Sequence, residues 1–358
     1  MKYSLKTFLK LKEYLQIIVL WIMALFFYVF MTYSMISDFY FQEIGSSAVD
    51  FLKAELIIAF FVGIFIGTNL FLLQEYVYPR FFKNFGILLM ILLRSLLFLI
   101  TCIIGLIIIA GLNKAHYITI DNLFVLQLSN MWILSFTFYC LIVYVFITLF
   151  QVFRRRMGKN YFESLLRGNY MIPVVEYRIF MFLDMYSSTT AAEEAGHYNY
   201  SLLLQECFND LSELLPKYNA EVYQYVGDEA VLTWKVSEGF DRQQCIELYE
   251  KFSIRLLERK QFYQKKFGLK PKFKASVNEG LVTVAEIGQI KTEIAYHGDV
   301  LSTAARVRDL CNSFKADLLI TNSFYEQLSH ANQENFIVAG TTLLRGKKKS
   351  VTIYMTAE

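Results

Sequence analysis

Two stretches decide the reading of this chain: Arg178-Ile-Phe-Met-Phe-Leu-Asp184, and Val222-Tyr-Gln-Tyr-Val-Gly-Asp-Glu-Ala-Val-Leu-Thr-Trp234. The first is a short apolar run, read as a buried strand, that ends on an aspartate. The second has two strand-like arms around Gly227-Asp228, the pattern of a hairpin whose glycine takes the positive φ of a tight turn. Asp184 and Asp228, brought together by adjacent strands, make a hard-oxygen site for one or two divalent ions, Mg²⁺ or Mn²⁺. Sites of that kind usually act on phosphates.

Around these stretches, strands and helices alternate. The pattern predicts a strand over 175–185, a helix over 191–215, the hairpin about Asp228 and a helix over 241–267. Strands follow over 272–277, 281–286 and 292–297, then a helix over 300–312 and a strand over 316–321. A last hairpin pairs 342–345 with 350–355 around Gly346-Lys-Lys-Lys. Such a mixture over residues 174–358 predicts one α+β domain.

Before that domain the composition changes. The 358-residue chain is 55% hydrophobic and 17% aromatic, and the excess lies before residue 151. Residues 15–36, 55–73, 87–112 and 123–150 are each long enough to cross a bilayer, which takes roughly 20 residues. The expectation is an all-α transmembrane domain of four helices over 1–150, in a lipid bilayer. No small-residue cleavage site follows the first segment, which reads as a retained anchor. Arg94 reads as a cation snorkelling to the cytoplasmic edge of a span over 95–110.

Basic residues sit at Lys2, Lys6, Lys10 and Lys12, at Arg80 and Lys83, and at Arg154, Arg155, Arg156 and Lys159. The intervening loops, with Asp38, Glu43, Asp50 and Asp121, are not basic. Both termini are therefore expected in the cytoplasm. A short basic linker, residues 151–173, is broken by Pro173 just before the soluble domain. The five cysteines lack metal-ligand spacing and predict reduced thiols. The net charge of +3 gives no reason to invoke nucleic acid. The spans hold almost no charged side chain to line a pathway, which argues against a channel or transporter.

In their order, the soluble motifs resemble the class III nucleotidyl cyclase catalytic domain over about residues 176–356. The matching residues are Phe-Leu-Asp-Met (182–185), Val-Gly-Asp-Glu (226–229), Asn-Glu-Gly-Leu-Val (278–282), Tyr-His-Gly-Asp-Val-Leu-Ser-Thr-Ala-Ala-Arg (296–306) and Leu-Arg-Gly-Lys (344–347). The resemblance implies a ferredoxin-like core and a two-metal cyclisation of a nucleoside triphosphate, ATP in the leading reading, with release of pyrophosphate. It assigns two ions per site to Asp184, Asp228 and the Met185 carbonyl. Arg306 would stabilise α-phosphate charge and Lys347 would meet the triphosphate tail. It also implies a head-to-tail homodimer, each site taking its metals from one chain and Arg306 from the other.

Three positions depart from the family pattern. Gln224 stands where adenylyl cyclases carry a base-reading lysine, Ala295 where its Asp or Thr partner would be, and Ser302 where an asparagine orients the ribose. Glutamine both donates and accepts, and Ala295 reads nothing by side chain. Two alternatives therefore stay open: a cyclase of GTP or a pyrimidine triphosphate, and a nucleotide-binding regulatory domain without turnover.

Overall fold

The computed structural model describes residues 2–44, 48–77, 86–114, 130–157, 162, 164 and 167–357. It divides into two compact units, Met1–Arg156 and Met157–Glu358.

The first unit is helical: α1 (Lys2–Ile44), α2 (Ala48–Leu72, continued by a π-turn over Leu73–Val77), α3 (Ile87–Lys114) and α4 (Asn130–Met157). Among the described residues, three helical stretches are long and apolar enough to cross a membrane: Leu11–Ser34, Glu55–Val77 and Leu134–Arg154. A shorter apolar stretch, Leu88–Ile104, lies in α3 and contains Arg94. The start of the expected fourth span and the loop charges Arg80, Lys83, Asp121 and Lys159 lie outside the described residues.

Helices α1 and α2 meet through Gly63 and Gly67. A methyl group at Gly63 would come within 2.9 Å of Ile22 Cγ1, and one at Gly67 within 3.0 Å of the Ile18 backbone. Two small residues one turn apart let helix backbones approach closely without any hydrophobic drive. Deeper in the unit, Trp21 stacks on Phe98 and Phe98 on Tyr144, with centroids 5.7 and 4.5 Å apart. Phe61, Phe65, Leu134, Phe138 and Phe146 point outward, a surface suited to lipid.

The second unit is built on one sheet of order β2-β3-β1-β4-β6-β8-β7, with β5 paired to β4. Its strands are β1 (Val174–Met185), β2 (Glu221–Val226), β3 (Glu229–Lys235), β4 (Phe273–Ile287), β5 (Glu293–His297), β6 (Leu318–Thr321), β7 (Phe336–Thr342) and β8 (Val351–Thr356). Helix α5 (Ser188–Ser212) joins β1 to β2; α6 (Gln243–Glu258) and α7 (Lys260–Phe267) join β3 to β4; α8 (Asp299–Asp309) follows β5. The antiparallel order β2-β3-β1-β4 with these crossings is the βαββαβ arrangement of a ferredoxin-like core.

β1 is apolar without a break over residues 179–183 because that part is covered on both faces. Ile179, Met181 and Leu183 enter the larger core with residues of α5, α6 and α7, while Phe180 and Phe182 enter a second core with Val300 and Ala304 of α8. Period-2 alternation sends neighbours to opposite faces, so burial on both sides reads as a continuous run. The expected helix over 241–267 is two helices, parted at Arg259, which pairs with buried Asp210. The expected strands over 272–277 and 281–286 are one strand, because Gly280 serves a contact instead of a break. A methyl group there would lie 2.9 Å from Val300 Cγ2. The last hairpin also differs: β7 begins at Phe336, and residues 343–345 belong to the turn.

Candidate active site

Sheet order positions the carboxylates. β1 lies between β3 and β4, so Asp184 at its end faces Glu229 in the register of β3 and Lys274 in that of β4. The β2–β3 turn brings half-buried Asp228 to the same end, with Gly227 at φ 61°. Just beyond, the Tyr186 amide donates to Lys272 O at 2.9 Å, holding the chain that leaves Met185. The Met185 side chain is buried in the core.

Cations from two elements converge on Asp184. Lys274 Nζ lies 3.3 Å and Arg308 Nη1 3.5 Å from Asp184 Oδ2. Arg308 also bridges to Glu229, and its Nη2 donates to Asp309 Oδ1 at 2.7 Å. Burial is the largest influence on the Asp184 carboxyl and raises it above the usual aspartate range; the charge of Asp228 adds to this, while Arg308 and Lys274 oppose it. Burial likewise raises Glu229, against the pull of Arg308. Tyr200 of α5 stands close enough to feel both aspartates, whose charges add to burial in raising its phenol.

The other expected residues gather elsewhere. Arg306, half-buried on α8, lies against Gly346 of the β7–β8 turn, where a methyl group would sit 3.6 Å from its Nη2. Lys347 pairs with Asp299, the first residue of α8. The Ser302 hydroxyl is exposed and donates to Asp299 O at 3.0 Å within its own helix. Residues 306 and 308 are about 200° apart around a helix, so α8 turns Arg308 toward its own chain's carboxylates and Arg306 away from them.

Strand β4 fixes α8 through its backbone. Ser276 Oγ donates to Ala304 O at 2.7 Å and Asn278 Nδ2 to Val300 O at 2.9 Å. Thr321 and Ser323 hydroxyls donate to Asn278 Oδ1 at 2.7 and 2.8 Å. Residues 276, 278 and 280 share one face of the strand, which holds the helix by two hydrogen bonds and one close approach.

Gln224 is exposed on β2, just past a bulge at Val222/Gln224. Ala295 is nearly buried on β5, opposite Ala285. The two strands approach through Tyr223 and Tyr296, whose rings meet edge-on at 4.9 Å.

Sequence reasoning missed Lys274, Arg308 and Tyr200 and gave Glu229 no role. A lysine near the start of a strand and a second arginine two positions after Arg306 were the available signals. For the divalent ions that the pattern implies, carboxylate oxygens are suitable donors, and the like charges of Asp184 and Asp228 favour a cation between them. Among the described residues no group of three or more His, Cys, Asp or Glu side chains is arranged to hold an ion. The two carboxylates fit an oxygen-seeking cation by donor chemistry, with Arg308 and Lys274 beside Asp184.

Comparison with known proteins bears on the family and the fold. Adenylate cyclase 2 of Rhizobium meliloti (strain 1021) is 32% identical over 175 residues, 49% of this chain and 48% of that protein; the match thus spans about half of each. The structure of a bacterial light-regulated adenylyl cyclase aligns over 65% of this chain and 66% of that one, with a TM-score of 0.54 and 16% identity. The adenylyl cyclase CyaB from P. aeruginosa aligns over 52% of this chain and 96% of that one, with a TM-score of 0.45 and 17% identity. At 16% identity the likeness to the light-regulated cyclase shows the fold alone. The family described as the adenylate and guanylate cyclase catalytic domain matches residues 176–357, half of the chain, and the chain belongs to that family.

Proposed function

We propose that this protein is a membrane-anchored adenylyl cyclase that converts ATP to cyclic AMP and pyrophosphate in a homodimer. The observation that carries the reading is the opposed placement of Arg306 and Arg308 on α8. Asp184 and Asp228 collect at one end of the sheet, whereas Arg306 and Lys347 face away, as residues destined for a second chain's site would. Membership of the family and the 32% identity to a protein named adenylate cyclase support the chemistry.

In the reaction, the ribose 3′-oxygen bonds to the α-phosphorus and gives up its proton to solvent water. The bond from that phosphorus to the β-bridging oxygen breaks, and pyrophosphate leaves. Asp184, Asp228 and the Met185 carbonyl are the groups that would hold two Mg²⁺ or Mn²⁺ ions, which when bound supply Lewis-acid activation of the 3′-oxygen and neutralise phosphate charge. Arg306 stabilises charge growing on the α-phosphate, a task suited to a planar guanidinium. Lys347 meets the terminal phosphates, leaving Asp299 to do so. Gln224, exposed beyond the β2 bulge, offers an amide to the base. Four spans, α1 to α4, would anchor the chain, with both termini and the catalytic domain in the cytoplasm.

Ala295 is almost buried and the Ser302 hydroxyl is engaged by its own helix, and these two observations favour a second reading, a nucleotide-binding regulatory domain. Full-length protein in lipid nanodiscs, incubated with Mg²⁺ or Mn²⁺ and each ribonucleoside triphosphate, separates the two. Cyclic AMP that disappears with Asp228→Ala supports the proposal. Another cyclic nucleotide as the main product corrects the substrate, and nucleotide binding without pyrophosphate release favours the second reading.

A further inference from the structure

The cations beside Asp184 are held in different ways. Lys274 is fixed by the strand, since its backbone is the register partner of Asp184 and its side chain is only 11% exposed. Arg308 reaches in from the last turn of α8 on a long side chain and joins two carboxylates of different strands, Asp184 and Glu229. It also has somewhere else to go. Its outer nitrogens already contact Asp309, whose side chain is 64% exposed, and a cation is favoured at a helix C-terminus wherever the side chain turns.

We propose that Arg308 is a displaceable counter-ion at the metal-binding carboxylates: it holds Asp184, together with neighbouring Glu229, until a divalent cation takes Asp184 and Asp228, and then swings fully onto Asp309. This rests on the reading of Asp184 and Asp228 as the metal-binding pair and goes beyond it, giving metal loading a built-in competitor. A guanidinium and a divalent ion seek the same carboxylate oxygens, and both cannot lie within contact distance of them without strong repulsion. Release of Arg308 also frees the Glu229 carboxylate beside the pair. Because Arg308 and Arg306 share one helix, the exchange occurs next to the arginine offered to the other chain.

The test is direct Mn²⁺ binding, read by electron paramagnetic resonance on the full-length protein in nanodiscs without nucleotide. Arg308→Gln is expected to tighten Mn²⁺ binding about tenfold by removing the competitor. Asp309→Asn, at an exposed position, is expected to weaken it about two- to threefold by removing the place where Arg308 comes to rest. Asp184→Asn reports on the underlying site and is expected to abolish tight binding. If Asp184→Asn weakens binding while Arg308→Gln binds equally or less tightly, the counter-ion role is overturned and the metal pair stands. If Asp184→Asn leaves binding unchanged, the metal-pair reading falls and the counter-ion role with it. Should Arg308→Gln fail to fold, the Asp309→Asn titration decides: unchanged Mn²⁺ affinity overturns the proposal.

Discussion

Arg306 and Arg308 share one helix and serve opposite sides of it. Arg308 pairs with Asp184 and Glu229 of its own sheet, while Arg306 lies beside Gly346 of the β7–β8 turn. In the proposed dimer, a site needing both Asp184 and Arg306 would draw them from two chains.

Mixed dimers test that division. Asp184→Ala and Arg306→Ala are each expected to lower cyclase activity at least about 100-fold. Co-expressed, they should recover about a quarter of the wild-type rate, since half of the dimers are mixed and each mixed dimer keeps one intact site. Failure of the mixture to exceed either parent, with mixed dimers confirmed by differential tags, would rule out the two-chain site.

Asn278 joins β4, β6 and α8 through three hydrogen bonds of its side chain. Asn278→Ala leaves the Val300 carbonyl and two hydroxyls without that partner and is expected to cost about 1–3 kcal/mol. Thermal unfolding should register this, and kcat should fall more than KM rises because α8 carries Arg306. An unchanged melting temperature would contradict the network.

Gly280 is required by contact, not by conformation. Gly280→Ala sets a methyl group 2.9 Å from Val300 Cγ2, and overpacking of this kind costs about 1–3 kcal/mol. The double variant with Val300→Ala is expected to regain much of the loss in a denaturant melt. Additive losses would show that another neighbour is responsible.

Glu176 governs an acid-sensitive cluster. Burial alone would raise its carboxyl, but Lys235 and Arg178, with the Tyr170 hydroxyl, hold it below the ordinary glutamate range. A depressed folded value means that the stabilisation is complete above the unfolded value, about 4.3, and is lost as pH falls through the folded one. Glu176→Gln should flatten the loss of stability below about pH 4.3 and lower stability at neutral pH. Parallel pH profiles for the two proteins would refute this.

In the helical unit, Gly67→Leu should separate α1 from α2, because a methyl group already comes within 3.0 Å of Ile18. Its melting temperature in detergent should drop by several degrees, whereas outward-facing Phe65→Leu should change little. Equal effects would mean that the glycines do not form the contact.

Much of the fold was legible because its signals are local. β1 announces itself as an unbroken apolar run, the hairpin by Gly227-Asp228, and α6 by the spacing of Ile246, Tyr249, Phe252 and Leu256. β7 was hidden because its Ile337 and Val338 are exposed on an outer strand, so no alternation marks it. Gly280 misled because a glycine that admits a neighbouring helix looks, in sequence, like one that ends a strand. Asp184 and Asp228 could be named from motif order, but Arg308 could not be set beside them.

The sequence by itself determined the division into an apolar helical part and an α+β part and the main strands and helices, and it named candidates for holding an oxygen-seeking cation or steadying a phosphate. Periodicity and turn chemistry act over a few residues, and a linear reading captures them. Only the tertiary structure decided which charges meet. Placing β1 between β3 and β4 puts Glu229 and Lys274 beside Asp184, and tethering α8 to β4 turns Arg308 inward and Arg306 outward. Those neighbours lie far apart along the chain, and electrostatic pairing depends on distance in space, which strand order and helix rotation set.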